Sequence, residues 1–390
     1  MKKIALVHPE LGLGGPDTVA AWIADTLRYE FLVDFILCKE PDLKKINSLY
    51  GTSLNKENIK VKVVNMPSFI KNSAKGRLLK QHFLMRYCKK NAAQYDLMFS
   101  TYNEMDFGRK GIQYIHFPSM DIGQNAKYNL MIDKWYYKDS IIRKIYLLLG
   151  KFISGYDLLG VLNNLTLVNS DWTGKIVNSI YGCRTMTLYP SVPDDFFNVD
   201  WESRKNDFVY VGIISPDKKI AEIISILGKV RKSGFDITLR LIGRIRGEGS
   251  NYDIEFRKLL EKNKDWIIYE GAVSRNKMLE IIAQCKYGIH AKKEHFGISI
   301  AELIKAGCIT FVPAEGGHLE IVGSAKEFLG FIDEDDAVRK ISAIISDKQL
   351  QDKVRAELKI NIDKFSIADF KRNLLKIVEQ FFTEQANKKG

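Results

Sequence analysis

Residues 287–322 read YGIHAKKEHFGISIAELIKAGCITFVPAEGGHLEIV, and the fold is decided there. Tyr287 to Ala291 is a short apolar run ending in a polar loop. Phe296 to Lys305 repeats apolar residues at helical spacing, Gly307 stops that helix, and Cys308 to Val312 is a second apolar, β-branched run. Strand, loop, helix and strand in that order make one turn of a parallel α/β sheet. The loop then lies at the carboxyl end of the first strand, and the helix amino terminus turns its free N–H groups and partial positive charge toward the ligand crevice. A phosphate suits such a place. Two acids frame it, Glu294 in the loop and Glu302 inside the helix. Lone acids mostly sit on solvated faces, but Glu302 stands among Ile300, Ala301, Leu303 and Ile304, so it is expected to be partly buried and to need a partner.

Glu294 and Glu302, with HFGISIA between them, resemble the E-x7-E motif of retaining glycosyltransferases of family 4, which have the GT-B fold. EHFGI from Glu294 to Ile298, the pair Ala306 and Gly307, and GGHLEIV from Gly316 to Val322 carry the likeness. The resemblance implies an α/β protein of two Rossmann-like parallel-sheet domains facing each other across a cleft. Residues 1–190 would be an acceptor-binding domain on which a carboxyl-terminal helix, 368–390, packs back, and residues 191–367 a nucleotide-sugar-binding domain. It also implies metal-independent transfer of a hexose with retention. Within the family the likeness is to the branch that adds α-1,2-mannose from GDP-mannose to dolichol-linked oligosaccharide, and a UDP-sugar remains the alternative donor.

Bulk properties agree with two soluble domains. The chain has 390 residues, 46% apolar and 27% charged, and a formal net charge of +12, which calls for an anionic partner. Nucleic acid, a membrane surface and phosphorylated substrates all qualify on charge alone. The cysteines (Cys38, Cys88, Cys183, Cys285, Cys308) form no C-x-x-C pair, so neither a disulfide framework nor a zinc site is suggested and a reducing, cytoplasmic setting fits. MKKIALVHP enters a strand directly and lacks the features of a signal peptide. The densest apolar run elsewhere, Ile145 to Leu149, is far too short to span a bilayer.

Along the chain, strand Ile4 to His8 leads into the glycine-rich loop Leu11 to Asp17 and a helix expected from about Thr18 to Tyr29. Gly12, Gly14 and Gly15 form G-x-G-G rather than the G-x-G-x-x-G of a dinucleotide site, and Asp34 precedes its strand's end, so NAD binding is disfavoured. By resemblance, Gly14 and Gly15 line the acceptor side, near the transferred sugar. From Lys60 to Lys90 there is no Asp or Glu, and Arg77 to Lys90 reads as a basic amphipathic helix. Lys75, Arg77, Lys80, Arg86, Lys89 and Lys90 are expected to meet an anionic membrane, with nucleic acid and a solvated face as competing readings. His116 follows strand Ile112 to Ile115, and the IHFP tetrad resembles a tract whose histidine lies near the donor sugar. Trp135, Tyr136 and Tyr137, with the helix that runs on to Ile153, mix aromatic and basic residues; a packed helix is the plain reading and a lipid-facing surface the sharper one.

In the second half, the resemblance gives Lys218 to the pyrophosphate, Glu294 to sugar hydroxyls, Glu302 to ribose hydroxyls, and the N–H groups of Phe296, Gly297 and Ile298 to the phosphate. Backbone near Val273 would meet the base. Ile213 stands where the family usually has an arginine, so Arg244 or Arg246 is expected to take over that charge. Asp333, Glu334, Asp335 and Asp336 read as a solvated helix start, and no metal or other cofactor is expected. The partners foreseen are a nucleotide sugar, a lipid-linked or glycan acceptor and a membrane surface on its cytoplasmic face, with no nucleic acid. A non-catalytic basic module would explain the charge but not the two acids and glycine loops, and a dehydrogenase would require the NAD site.

Overall fold

A computed structural model describes residues 1–12, 14–73, 77–120 and 141–387, with side chains except at 77, 141–144 and 147. The chain divides into two compact units, Met1–Ser191 with Ala368–Gly390, and Val192–Ile367.

Among the described residues, the first unit has strands β1 (Lys3–Val7), β2 (Leu32–Leu37), β3 (Lys60–Val63), β4 (Leu97–Ser100), β5 (Ile112–Ile115), β6 (Leu165–Val168) and β7 (Thr185–Thr187). They form one sheet in the order β3-β2-β1-β4-β5-β6-β7, and the pairings are parallel throughout. Ile4, Ala5, Leu6 and Val7 are all fully buried, as a central parallel strand with covered faces demands. The chain leaves β1 in one direction through β2 and β3 and returns on the other side at β4. That reversal makes a crevice at the carboxyl ends of β1 and β4.

The second unit repeats the plan with β8 (Lys205–Val211), β9 (Leu239–Ile242), β10 (Ile267–Gly271), β11 (Cys285–Ile289), β12 (Ile309–Pro313) and β13 (Gly330–Phe331). The order is β10-β9-β8-β11-β12-β13, so the reversal falls between β8 and β11. The loops that follow these two strands therefore lie side by side. The structure is thus an α/β protein of two Rossmann-like parallel sheets.

Helix boundaries shift where local chemistry outweighs periodicity. The first helix is Gly15–Leu27, three residues ahead of the expected start, because Pro16 suits the first turn, where a missing N–H loses nothing. The last helix, Ile367–Asn387, buries Phe370, Leu374, Ile377, Val378 and Phe381. It is tied to the rest of the first unit by Lys371 to Asp25 (3.5 Å), Lys110 to Glu384 (3.3 Å) and the tilted ring pair Phe31 and Phe382 (5.8 Å between centroids). Where the chain enters and leaves the second unit, Val192 pairs in parallel with Ser366, and its N–H donates to the Phe365 carbonyl at 2.9 Å.

The basic stretch requires a correction. Lys80 is 5% exposed and its ammonium lies 2.5 Å from Glu10 Oε1, while Lys89 reaches Asp106 Oδ2 at 2.5 Å. Neither is a free surface cation, because the helix Arg77–Asn91 is packed on more than one side. Arg86 and Lys90 are exposed. Lys75 and the Arg77 side chain lie outside the described residues, as do Trp135, Tyr136 and Tyr137. The helix Ile141–Ser154 packs closely at Gly150, where a Cβ would meet the His82 ring at 2.3 Å, yet Ile145, Leu148, Leu149 and Phe152 point to solvent with 52%, 65%, 54% and 88% exposure. Asp333 caps its helix by accepting the Asp336 N–H at 2.8 Å, as a helix-start acid should. Among the described residues no cluster of His, Cys, Asp and Glu is arranged to hold a metal, and no helix is long and apolar enough to cross a membrane.

Candidate functional site

The reversal between β8 and β11 gathers the charged residues. Asp217 and Lys218 sit on the short turn after β8, and Lys292 and Glu294 on the loop after β11. They pair crosswise: Lys218 Nζ contacts Glu294 Oε1, and Lys292 Nζ lies 3.0 Å from Asp217 Oδ2. None is more than 21% exposed. Burial alone would raise the Glu294 carboxyl, but the charges of Lys218 and Lys292 outweigh it and hold it at about 2. Asp217 is likewise held at about 2, burial being overcome by Lys292, Ser215 and Arg246.

The backbone of Glu294 is fixed by the glycine pair of the opening motif. His318 Nδ1 accepts the Glu294 N–H at 3.1 Å, His318 Nε2 donates to the Pro313 carbonyl at 2.8 Å, and the Gly317 N–H donates to the Glu294 carbonyl at 2.9 Å. Gly316 has φ +138°, and a Cβ there would fall 2.5 Å from His318 Cε1 and 2.9 Å from the Glu294 oxygen, so only glycine lets the two loops approach. Burial lowers the His318 pKa, which keeps the ring neutral and able to accept on one nitrogen while donating from the other. His290, beside the Tyr210 ring at 4.8 Å, has a buried Nε2 without a hydrogen-bond partner.

Glu302 lies on the helix Ile298–Lys305 with 14% of its side chain exposed. Arg275 NH1 donates to its Oε1 at 3.1 Å, and the same guanidinium grips Asp195 with two bonds of 2.6 and 2.7 Å. The solvated-face reading of this acid is therefore wrong, as its apolar neighbours implied. Burial pushes the Glu302 carboxyl up, even with Arg275 beside it, because Arg275 is chiefly engaged by Asp195, whose charge adds to the effect.

The other expected residues take these places. Phe296 is buried against Phe365 (5.4 Å), Gly297 caps the helix start with φ +100°, and Ile298 begins the helix proper, two residues later than the spacing suggested. Val273 is half-buried against the core beneath the β10 loop. Arg244 is exposed, and its carbonyl accepts the Ile214 N–H at 2.9 Å, whereas Arg246 lies 3.5 Å from Asp217. So of the two arginines it is Arg246 that joins the charged group.

In the first unit, Gly14 is an extended N-cap whose N–H donates to the Tyr50 hydroxyl at 3.1 Å, and Gly15 opens the helix. A chain of polar contacts then runs across the crevice of that unit. Asp17 Oδ1 meets His8 Nε2 at 3.0 Å, His8 Nδ1 meets the Thr101 hydroxyl at 3.0 Å, and the Thr101 carbonyl meets His116 Nε2 at 3.1 Å. His116 is 8% exposed and lies 4.7 Å from the Tyr114 ring. Sequence reasoning missed Lys292, Asp217, Arg275, Asp195 and His318. Lys292, Asp217 and His318 share one signal, position shortly after a strand's carboxyl end, whereas Arg275 opens a helix and Asp195 lies on the segment leading into the second unit.

Residues 191–362 match the family model described as Glycosyl transferases group 1. The GDP-Man:Man(3)GlcNAc(2)-PP-Dol alpha-1,2-mannosyltransferase of Homo sapiens is 26% identical over 266 residues, 62% of this chain and 53% of the relative. The enzyme of that name from Dictyostelium discoideum is 22% identical over 251 residues, 59% of this chain and 50% of the relative. The chain thus spans about half the length of these relatives. Among solved structures, Anabaena HepE in complex with UDP and glucose superposes with a TM-score of 0.67 at 16% identity, covering 97% of this chain and 100% of that one. Sucrose-phosphate synthase from Thermosynechococcus elongatus gives 0.72 at 14% identity, covering 98% and 100%. The likeness in three dimensions identifies the fold as GT-B, and the match to the glycosyl transferases group 1 model falls on the second unit.

Proposed function

We propose that the protein is a retaining glycosyltransferase that moves a hexose, mannose from GDP-mannose, onto a lipid-linked glycan acceptor. The observation that carries this is the meeting of Lys218 and Glu294 at the β8/β11 reversal, with Glu302 on the helix that follows the β11 loop. Breaking a sugar–phosphate bond builds negative charge on the leaving diphosphate, so fixed donors at the phosphate are the main requirement. Lys218 supplies a cation, and the N–H groups of Phe296, Gly297 and Ile298 supply dipoles at a helix start. Glu294 holds hydroxyls of the sugar and Glu302 those of the ribose. Gly14, Gly15 and His116 serve the acceptor and sugar from the first unit. The acceptor hydroxyl attacks the face that the diphosphate leaves, a phosphate oxygen accepts its proton, and no metal takes part.

The mannose reading is supported by the names of the relatives. A UDP-sugar is the alternative, since HepE was solved with UDP. Docking to the cytoplasmic face of a membrane is supported by the exposed Ile145, Leu148, Leu149 and Phe152 beside the helix that carries Arg86 and Lys90.

Thermal unfolding with nucleotides tests the donor, because a ligand bound only by the native state raises its stability. GDP is expected to raise the midpoint more than UDP, and radiolabelled GDP-mannose with lipid extract is expected to yield labelled glycolipid. Equal or absent shifts with both nucleotides, together with no transfer, would refute the assignment.

A further inference from the structure

Lys218 alone is a small answer to a diphosphate. The group carries more than one negative charge at neutral pH, and a single ammonium cannot balance it in a crevice whose other nearest side chain, Glu294, is itself an anion. The turn after β8 and the loop after β11 hold a second cation that nothing so far employs. Lys292 is 10% exposed at its side chain, two residues before Glu294, and lies 3.0 Å from Asp217.

The arrangement of the four charges is informative. Asp217 and Lys218 are neighbours on one loop, Lys292 and Glu294 are near neighbours on the other, and each lysine is paired with the acid of the opposite loop. The quartet is neutral as it stands. A partly buried ion pair of this kind adds little net stability, since desolvation offsets attraction, and clusters of strongly perturbed groups in a crevice point to function. Lysine, unlike arginine, carries its charge on a flexible stem with three rotatable donors, so it can leave one anion for another without moving the backbone.

We infer that Lys292 is a second diphosphate-binding cation, held on Asp217 until a nucleoside diphosphate enters and draws both lysines from their carboxylates. This rests on the function proposed above. Glu294, released by Lys218, becomes free to accept hydroxyls of the sugar, and Asp217 keeps Arg246, 3.5 Å away, as its counter-ion. The crossed pairs therefore keep the loops aligned in the empty site and yield donors when the ligand arrives. Arg246 is the rival for the same task, being the remaining cation that touches Asp217.

The test is calorimetric titration of the full chain with GDP and GMP, or UDP and UMP if the uridine series binds. The difference between di- and monophosphate reads the second phosphate alone. Lys292→Met is expected to lower diphosphate affinity by about tenfold to a hundredfold, the loss that goes with one charge-assisted contact, while monophosphate affinity changes little. Lys292→Arg, which keeps the pair with Asp217, is expected to retain most of the preference and guards against a folding defect in the methionine variant. Asp217→Asn, which removes the tether, is expected to raise diphosphate affinity. A merely structural salt bridge predicts instead a lower unfolding temperature and equal losses for both nucleotides, and that result would overturn the inference. So would a preference abolished by Arg246→Gln and untouched by Lys292→Met. Lys218→Met separates the two levels. If it removes the preference and Lys292→Met does not, the inference falls and the transferase reading stands; if neither does, both fall.

Discussion

Arg275 holds Glu302 by one nitrogen while its other two bonds go to Asp195, so the carboxylate is oriented and one of its oxygens is left for the ribose contact proposed above. Arg275→Lys should preserve the charge but lose the fork, and a bidentate site does not tolerate that exchange. We expect a loss of about tenfold in affinity for GDP, and a much smaller loss for 2′,3′-dideoxy-GDP, because the missing contact is to the hydroxyls. Equal losses for both nucleotides would show that Arg275 supports the fold and not the ribose. Acid titration probes the crossed pairs. Glu294 and Asp217 both titrate near 2, below their ordinary 4.5 and 3.8, so the stability they give is complete above those ordinary values and is lost as pH falls toward 2. Lys218→Met should forfeit part of this benefit, flattening the loss of unfolding temperature between pH 5 and pH 2 relative to the parent. A profile parallel to the parent's would mean that the pair contributes nothing.

At the scale of elements, the site is made by loops that glycine lets approach. Gly243, at the end of β9, has φ +144°, and a Cβ would fall 1.8 Å from the Gly212 carbonyl oxygen at the end of β8. Gly243→Ala must therefore push the β8 loop, with Asp217 and Lys218 on it, out of place. We expect a loss of a few kcal/mol in stability, on the order seen for strained backbone and overpacking, and weaker nucleotide binding; an unchanged melting temperature would contradict it. The strand–loop–helix–strand reading of residues 287–322 was legible because short continuous apolar runs flank a period-3.6 pattern there and Gly307 marks the stop. Burial of Glu302 was legible too, from Ile300, Ala301, Leu303 and Ile304 around it. Arg275 and Lys292 were not, because each finds its acid across the sheet, and contacts between 27 and 75 residues apart leave no trace in local spacing. The same limit misled the reading of Lys80 and Lys89: their acids, Glu10 and Asp106, lie outside the acid-free stretch, so a run of like charge looked like a bare surface.

For the molecule as a whole, the segment after Ile367 belongs to the first unit although it follows the second. The helix Ile367–Asn387 buries five large apolar side chains, and at roughly 1.5–3 kcal/mol each their exposure would remove an amount comparable to the stability of an ordinary domain. A chain ending at Ile367 should therefore be insoluble or should unfold at a far lower temperature than the full chain, with the loss felt first by tryptophan fluorescence of Trp22, over which Lys371 sits at 5.2 Å. Fluorescence melting of the two chains checks this, and coincident curves would show that the helix is dispensable.

The parallel bridge between Val192 and Ser366 means that the polypeptide goes out and comes home at one spot, about 5 Å wide by the spacing of neighbouring strands. Residues 192–367 are thus inserted like a guest between two parts of a host. A few added residues could join the guest's own ends into a closed ring, or seal the host where the guest was cut away. Each could then be purified alone, and the question of which partner carries nucleotide and which carries acceptor would become two separate titrations.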